Sequence, residues 1–320
     1  MLPLWQQILI RNLFHYSGRR VDEERAYLAK HDHVPKFLYK YRQFIKTHVD
    51  AAEQGELWLS APEMFNDPFD TAIYFHPSRI EVEDLSPDEF LAAAERLRKE
   101  VEAGPVSRLP DIRNPIRLGD WFDRTFQDVL DKLPPGEKEA FREFVRKEIG
   151  TQGELQLRRM SNMFRKGFSV LSLSANARSV LMWSHYADSH RGFCLEYDFG
   201  SLPFESLHKR VCFPVFYRRK RTDASRYFAK GMRDFNRLFG QYLCMLKSEE
   251  WAYEQEWRMI VQGGPPNEPL NMHPPTALIL GANAAPSHCQ WAADFCAARE
   301  IPLRIATQNL HSFAIDISTL

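Results

Sequence analysis

The chain has 320 residues, and its 42 basic side chains are balanced by 42 acidic ones, so it carries no net charge. This balance argues against a protein that holds DNA by bulk charge alone. The sequence contains no run of about 18 apolar residues, so it does not predict a helix that spans a membrane. Hydrophobic residues make up 44% of the chain, which is enough for a substantial core.

The five cysteines lie far apart in the sequence and include no Cys-x-x-Cys pair. This pattern predicts free thiols in a reducing cytoplasm and no structural metal site. The N-terminal segment lacks a basic stretch and a small-residue cleavage site, so it does not predict a signal peptide. We therefore expect a cytoplasmic protein.

The first half of the chain divides into three regions of different character. Residues 1–35 mix polar and apolar side chains and predict an N-terminal helical extension. Residues 36–77 predict an aromatic strand at 37–42, a helix at 44–54 and an alternating strand at 56–60. Residues 78–166 contain charged amphipathic stretches, with a helix start at Ser86-Pro87. We expect this third region to be a large helical insertion, and its helices within 86–166 are a candidate surface for a partner.

Strand patterns return in residues 167–320, mixed irregularly with helices, which favours the α+β class over a regular βαβ winding. We therefore expect residues 36–77 and 167–320 to form one α+β domain. The predicted strands are 168–174, 192–198, 211–217, 253–261, 277–280, 303–305 and 313–317, and the predicted helices are 179–187, 224–246 and 287–299.

Two glutamates occur in the predicted strand at 253–261. Because side chains alternate between the faces of a strand, Glu254, Glu256 and Arg258 would share one face, with the carboxylates about 7 Å apart. This face is either a solvent-exposed ladder of charges or a catalytic pair of carboxylates in a cleft.

Polar side chains on two other strands are further candidates. Ser172 and Ser174 lie on one face of their strand, where two hydroxyls can bind a ligand or orient a carboxylate. Arg42 lies at the end of the first strand, where it can grip a phosphate with two hydrogen bonds. Each of these residues, taken alone, also fits an ordinary exposed surface.

Two more segments allow both a structural and a functional interpretation. Asn66-Asp-Pro-Phe-Asp70 predicts a turn, or a loop at the mouth of a site. His185 and Tyr186 fall in a short helix, where core packing accounts for them. The alternative is that Tyr186 stacks on an adenine or nicotinamide ring, with His185 titrating near neutrality beside it.

Arg42, Ser172-Leu-Ser174 and Glu254-Gln-Glu256 occur in this order along the chain. The pattern resembles the Arg…Ser-x-Ser…Glu-x-Glu signature of ADP-ribosyltransferases. The resemblance implies a split mixed sheet with flanking helices, and NAD as a substrate without any metal. The sequence departs from the signature at Leu173, where many members have threonine.

The same resemblance implies a role for each residue. Glu256 stabilises the positive charge on the ribose as the nicotinamide bond breaks, and Glu254 orients or deprotonates the acceptor. Ser172 and Ser174 hold Glu256 and the nicotinamide, and Arg42 holds the NAD phosphates. The resemblance also implies that the acceptor is a protein or a nucleic acid. It further implies that this chain is a toxin or a defence effector inside a bacterial cell.

Longer segments are similar to an uncharacterised bacterial family of unknown function, over roughly residues 36–77 and 167–317. The segments are Leu38-Tyr-Lys-Tyr-Arg42, Phe65-Asn-Asp-Pro-Phe-Asp70, Met182-Trp-Ser-His-Tyr-Ala187, Gly192-Phe-Cys-Leu-Glu-Tyr-Asp198 and Tyr253-Glu-Gln-Glu-Trp-Arg258.

Two other functions compete with the transferase. One is a metal-dependent nuclease or hydrolase, in which Mg²⁺ or Mn²⁺ is bound by carboxylates and one imidazole. Its candidate ligands are Asp67, Asp70, Glu254, Glu256 and His185. The other is a non-catalytic binding module, in which the helical insertion contacts a partner.

Overall fold

The computed structural model describes residues 2–71, 74, 165–224, 227, 236, 238–263 and 268–320. The predicted helical insertion at 78–166 lies outside the described residues except for its last two positions, and so does most of the predicted helix at 224–246. The described residues confirm the α+β class with a mixed sheet. None of the helices in this part of the chain is both long and apolar enough to cross a bilayer.

The described chain contains seven α-helices, three short 3₁₀ turns and twelve strands. The helices are α1 Leu4–Leu13, α2 Glu23–His31, α3 Lys46–Gln54, α4 Val180–Tyr186, α5 Leu207–Val211, α6 Phe239–Leu243 and α7 Pro286–Arg299. The 3₁₀ turns are Gly18–Arg20, Pro62–Met64 and Glu249–Glu254. The strands are β1 Phe37–Arg42, β2 Glu56–Trp58, β3 Phe168–Ser174, β4 Phe193–Asp198, β5 Cys212–Pro214, β6 Phe216–Arg218, β7 Leu246–Ser248, β8 Glu256–Gln262, β9 Pro269–Asn271, β10 Ala277–Leu280, β11 Leu303–Gln308 and β12 Ile315–Thr319.

Eight strands form the main sheet, in the order β12-β11-β10-β4-β1-β3-β8-β5. All neighbours in it are antiparallel except β10 and β11. Two small sheets, β2 with β9 and β6 with β7, lie outside it. The predicted strand at 211–217 is wrong as a single element: Cys212–Pro214 joins the main sheet, whereas Phe216–Arg218 pairs with β7.

The main sheet is divided between β1 and β3. In these two fully described strands, Tyr39 and Ser174 are the one residue pair in register. By contrast, β1 pairs with β4, and β3 with β8, along their whole lengths. Beyond the Tyr39–Ser174 pair a cleft lies between the two strands, lined by residues of both. We call this gap the split.

Apolar clusters on the sheet hold its two parts together. One cluster joins Leu38, Leu171 and Leu278 with Phe295 of α7. A second cluster packs α1 and α2 against β3, β5, β6 and β8. The predicted N-terminal extension therefore packs on the sheet and contributes to its core.

A tight turn after α4 fixes the position of the end of β1. Ser179 caps the start of α4 by accepting a hydrogen bond from the Met182 backbone N–H. After the helix, residues 188–190 all adopt left-handed φ angles, between 48° and 67°. This turn brings Gly192 against the backbone of Arg42, where an added Cβ would lie 2.1 Å from the Arg42 carbonyl oxygen.

We expect Gly192→Ala to lower the free energy of unfolding by about 3 kcal/mol, because the new methyl group overlaps the backbone of β1. Urea denaturation measures this loss. Gly55→Ala is the matched control: its φ of 73° is strained for alanine, but no atom lies within 4 Å of the new Cβ. The control should lose about 1 kcal/mol, and equal losses in the two variants would contradict the packing argument.

Candidate active-site cleft

A cleft of about 990 Å³ passes through the split, a size at the upper end of small-molecule sites. Six of the seven side chains predicted for the site line it: Arg42, Ser172, Ser174, Tyr186, Glu254 and Glu256. The seventh, His185, is not among its lining residues. The imidazole of His185 is exposed, and its Nδ1 lies 3.0 Å from the hydroxyl of Tyr253.

The two walls of the cleft come from opposite faces of the sheet. Tyr39 and Ser174 are paired and so point to the same face. Lys40 and Arg42 leave β1 on the other face, where α3 forms the wall with Thr47, His48 and Gln54. The cleft thus has a carboxylate side near Glu256 and a cationic side near Arg42.

The prediction that Glu254 and Glu256 share one face of a strand is wrong. Glu254 ends the 3₁₀ turn Glu249–Glu254, and Gln255 has a left-handed φ of 45° that interrupts the alternation. Strand β8 begins only at Glu256. Both carboxylates are nevertheless buried and contact the same ammonium, with Lys247 Nζ at 2.5 Å from Glu254 and 3.1 Å from Glu256.

A buried cluster of charges forms the carboxylate side of the cleft. We define the acid cluster as Asp70, Lys247, Glu254, Glu256 and Arg258, all of which are buried. The Arg258 guanidinium donates to both carboxylate oxygens of Asp70, at 2.8 and 2.5 Å, and to both of Glu256, at 2.8 and 3.0 Å. Three carboxyl groups therefore share two cations, an arrangement that favours one bound proton.

The pKa values of the two glutamates are pushed apart. Burial raises the pKa of Glu254, and the charge of Glu256 raises it further. Burial alone would also raise the pKa of Glu256, but the charges of Arg258 and Lys247, with hydrogen bonds from Arg258 and Ser172, hold it well below its ordinary value. A pair of carboxyls with opposite shifts is suited to separate acid–base roles.

The two serines of β3 act on the two glutamates in different ways. The Ser172 hydroxyl bonds the carboxylate of Glu256 and favours its charged form. The Ser174 hydroxyl donates to the backbone carbonyl of Glu254 at 2.6 Å and accepts from the Asn176 N–H at 3.1 Å. Ser174 therefore fixes the backbone that carries Glu254 rather than offering its hydroxyl to the cleft.

The loop at residues 65–71 closes the cleft beside the acid cluster. Its Asn66 and Asp70 line the cleft, so this predicted turn is also a wall of the site. Arg165 donates to the carbonyls of Pro68 and Asp70, at 2.9 and 2.8 Å, and the Phe65 ring lies 4.9 Å from the Arg258 guanidinium. These contacts hold Asp70 against Arg258.

Sequence reasoning missed Lys247 and understated Arg258 and Lys40. Lys247 is followed by Ser248 and then by two exposed glutamates, and nothing in that local pattern distinguishes it from a surface lysine. Lys40 lies between the tyrosines of β1, and its ammonium donates to the Ser172 carbonyl at 2.7 Å. Burial lowers the pKa of Lys40 well below its ordinary value and that of Arg42 to about 10.

Three of the five ligands suggested for a metal ion are paired with cations of the protein itself. Asp70, Glu254 and Glu256 bond Arg258 or Lys247. His185 lies outside the cleft lining, and Asp67 has a buried Oδ2 without a hydrogen-bond partner in the described structure. Among the described residues, no group of three or more His, Cys, Asp or Glu is arranged to hold a metal ion.

Tyr186 donates a hydrogen bond of 2.6 Å to Glu254 Oε1, which stabilises the charged carboxylate. We expect Tyr186→Phe to raise the pKa of Glu254 further above its ordinary value. The higher pKa would widen the pH range in which the native state binds one proton more than the unfolded chain, so the total stability lost as pH rises through that range would be larger. Carbon-13 NMR titration of the Glu254 carboxyl measures the shift, and an unchanged or lower pKa would contradict this role of Tyr186.

One family model, described as a protein of unknown function (DUF2971), matches residues 182–259. This match confirms the resemblance to an uncharacterised family over the stretch from α4 to β8. It includes the whole acid cluster except Asp70, and it excludes β1 and β3. No curated protein and no solved structure matches the chain, so the transferase resemblance stays a prediction.

Proposed function

We propose that the chain is an NAD-dependent ADP-ribosyltransferase whose active site is the cleft in the split. The observation that carries this proposal is the pair of buried carboxyls with opposite pKa shifts, on the same cleft as two cations of β1. The division of the sheet between β1 and β3 also agrees with the split mixed sheet of the ADP-ribosyltransferase fold.

The ionised Glu256 supports the bond-breaking step. In that step the bond between the nicotinamide nitrogen and ribose C1′ breaks, and its electron pair leaves with the nicotinamide. Positive charge then develops on the ribose ring. A carboxylate that stays charged inside a low-dielectric site stabilises this oxocarbenium-like state. Arg258, Lys247 and Ser172 keep Glu256 in the charged form and fix its orientation.

The raised pKa of Glu254 supports the second step. An acceptor oxygen or nitrogen forms the new bond to C1′ and gives up one proton. A carboxyl whose pKa lies closer to neutrality than usual accepts that proton efficiently. Tyr186 and Lys247 hold the Glu254 carboxylate at 2.6 and 2.5 Å, and Arg42 is assigned to the phosphates of NAD.

The proposal also includes the acceptor molecule and the cell compartment in which the protein acts. The acceptor would be a macromolecule, protein or nucleic acid. NAD is a cytoplasmic substrate, and a toxin or defence effector that acts inside a bacterial cell would use it there.

Incubation of the full chain with NAD and a bacterial lysate tests this function. Nicotinamide release and labelling of lysate macromolecules from adenylate-labelled NAD are the two readouts. We expect Glu254→Gln to lose most transfer while keeping slow nicotinamide release to water, because water replaces the acceptor. Glu250→Gln, an exposed glutamate of the same 3₁₀ turn, should keep both activities. Absence of nicotinamide release by the unmodified chain would contradict the proposal.

A further inference from the structure

The cationic side of the cleft contains two cations that lack the acceptors found around other buried cations of this protein. Lys30 shows how the fold satisfies a buried ammonium, since it donates to the carbonyls of Lys209, Arg210 and Cys212 at 2.9, 2.7 and 2.6 Å. Lys247 likewise bonds two carboxylates. An ammonium has three donors to place, and both lysines use theirs fully or nearly so.

Lys40 is different. In the described part of the chain its ammonium has one hydrogen-bond acceptor, the carbonyl of Ser172 at 2.7 Å. That carbonyl belongs to β3 at a position where β1 and β3 are no longer paired, so Lys40 reaches across the split itself. Its remaining donors have no acceptor among the described residues, and Lys40 lines the cleft.

Arg42 lies two residues further along β1, on the same face of the strand as Lys40. Its guanidinium has no hydrogen-bond or ion-pair acceptor among the described residues, although Arg42 lines the cleft. Asp50, the acid of α3 in the cleft lining, is bonded to Lys46 at 2.6 Å. Two adjacent cations without an acid of their own make the cationic side an anion-binding surface.

The strand register places these cations at a defined distance from the carboxylates. Tyr39, Ser174 and Glu256 form one row across the sheet. Lys40 lies one residue beyond this row along β1, and Arg42 lies three residues beyond it, about 10 Å away along the strand. Because the two cations point to the opposite face of the sheet from Glu256, a ligand that reacts at Glu256 would pass through the split and meet Lys40 first and Arg42 second.

We infer that Lys40 is a second phosphate-binding residue of the split, which takes the phosphate nearer to Glu256 when a nucleotide diphosphate binds there, beside the phosphate already assigned to Arg42. The order of the two phosphates relative to the reacting bond rests on the proposed function, whereas the binding of a diphosphate does not. Lys40 is a positioning residue in this arrangement, because it holds the phosphates and not the reacting atoms.

The surroundings of Lys40 couple the binding of the diphosphate to the protonation of the Lys40 side chain. Burial lowers the pKa of Lys40, and the charge of Arg42 lowers it further, whereas Glu256, Cys194 and Glu254 act in the opposite direction. His48 of α3 faces the same two cations. A bound diphosphate favours the charged ammonium and so raises the pKa of Lys40. Proton uptake at Lys40 therefore accompanies binding at pH values between its pKa in the free protein and its pKa in the complex.

Calorimetric titration of the full chain with ADP tests the inference, because ADP carries the diphosphate and lacks the bond that the proposed reaction breaks. Titrations at a series of pH values, each in two buffers with different ionisation enthalpies, report the protons taken up. We expect Lys40→Gln, which keeps a donor for the Ser172 carbonyl, to bind ADP about tenfold to a hundredfold more weakly and with reduced proton uptake. Arg42→Gln should also weaken binding but keep the uptake.

Two controls separate this inference from its alternatives. Lys36→Gln removes an exposed lysine just before β1 and should bind ADP normally, and His48→Gln should keep the proton uptake. Equal ADP affinities for Lys40→Gln and Lys36→Gln, or no binding of ADP by the unmodified chain, would overturn the inference. If ADP binds through Lys40 but NAD releases no nicotinamide, the diphosphate site stands and the transferase proposal fails.

Discussion

Glu256→Gln is expected to reduce nicotinamide release from NAD by about 10²- to 10³-fold, the usual effect of removing one preorganised electrostatic group from an active site. The loss follows from charge: the glutamine amide has nearly the same shape as the carboxylate, but it cannot balance positive charge on the ribose. Nicotinamide measured by chromatography over time gives the rate.

The position of Glu256 in the acid cluster requires a control for folding. The glutamine amide nitrogen faces the donors of Arg258 and Lys247, so the variant also loses stability. The rate is therefore measured below the unfolding temperature of the variant, beside Glu254→Gln, which should release nicotinamide and fail in transfer. A folded Glu256→Gln protein that releases nicotinamide within about twofold of the normal rate would contradict the catalytic assignment.

Arg258→Met is expected to lower the free energy of unfolding by about 3–5 kcal/mol, because it leaves buried carboxylates without their main cation. Arg258 is 1% exposed and bonds both Asp70 and Glu256, whereas Lys247 alone remains to neutralise the cluster. Urea denaturation followed by circular dichroism measures the change. Combining Arg258→Met with Asp70→Asn should recover part of the loss, since the two residues act as a pair.

Arg219→Met provides the matched control, because Arg219 pairs with Glu249 at the protein surface. Exposed ion pairs contribute little, so this variant should unfold at nearly the normal urea concentration. Similar losses for the buried and the exposed arginine would contradict the structural role of the acid cluster.

The acid cluster determines whether the stability of the protein rises or falls with pH in the acidic range. Because the native pKa of Glu256 is lowered, the unfolded chain binds more protons than the native chain once pH falls below about 4.3. The stability contributed by Glu256 is therefore present above this pH and is lost as pH falls toward the native pKa. Arg258→Met should make the free energy of unfolding depend less on pH in this acidic range, and it should also lower that free energy over the whole pH range.

The strands of the site could be predicted from local patterns, because each has its own alternation or apolar run. β1, β3 and β4 occur within a residue of their predicted bounds. Helix α3 is predicted from Phe44 but begins at Lys46, because Ile45 has an extended backbone with φ −115° and ψ 153° and occupies the N-cap position.

The geometry of the two glutamates could not be predicted from alternation. Gln255 adopts a left-handed conformation that non-glycine residues seldom take, and this single residue moves Glu254 from the strand into a 3₁₀ turn. Lys247 reaches the same carboxylates from the parallel pair of β6 and β7, a contact that depends on tertiary structure. Sequence patterns therefore gave the candidate residues, whereas the charge pairing that sets their pKa values emerged only in three dimensions.

The most direct test of the account is a crystal structure of the full chain with an NAD analogue whose nicotinamide ribose oxygen is replaced by carbon, which prevents cleavage. The account predicts the analogue in the split, with ribose C1′ beside the Glu256 carboxylate and the diphosphate on Lys40 and Arg42. An analogue bound elsewhere on the protein, or an empty split at saturating analogue, would contradict it.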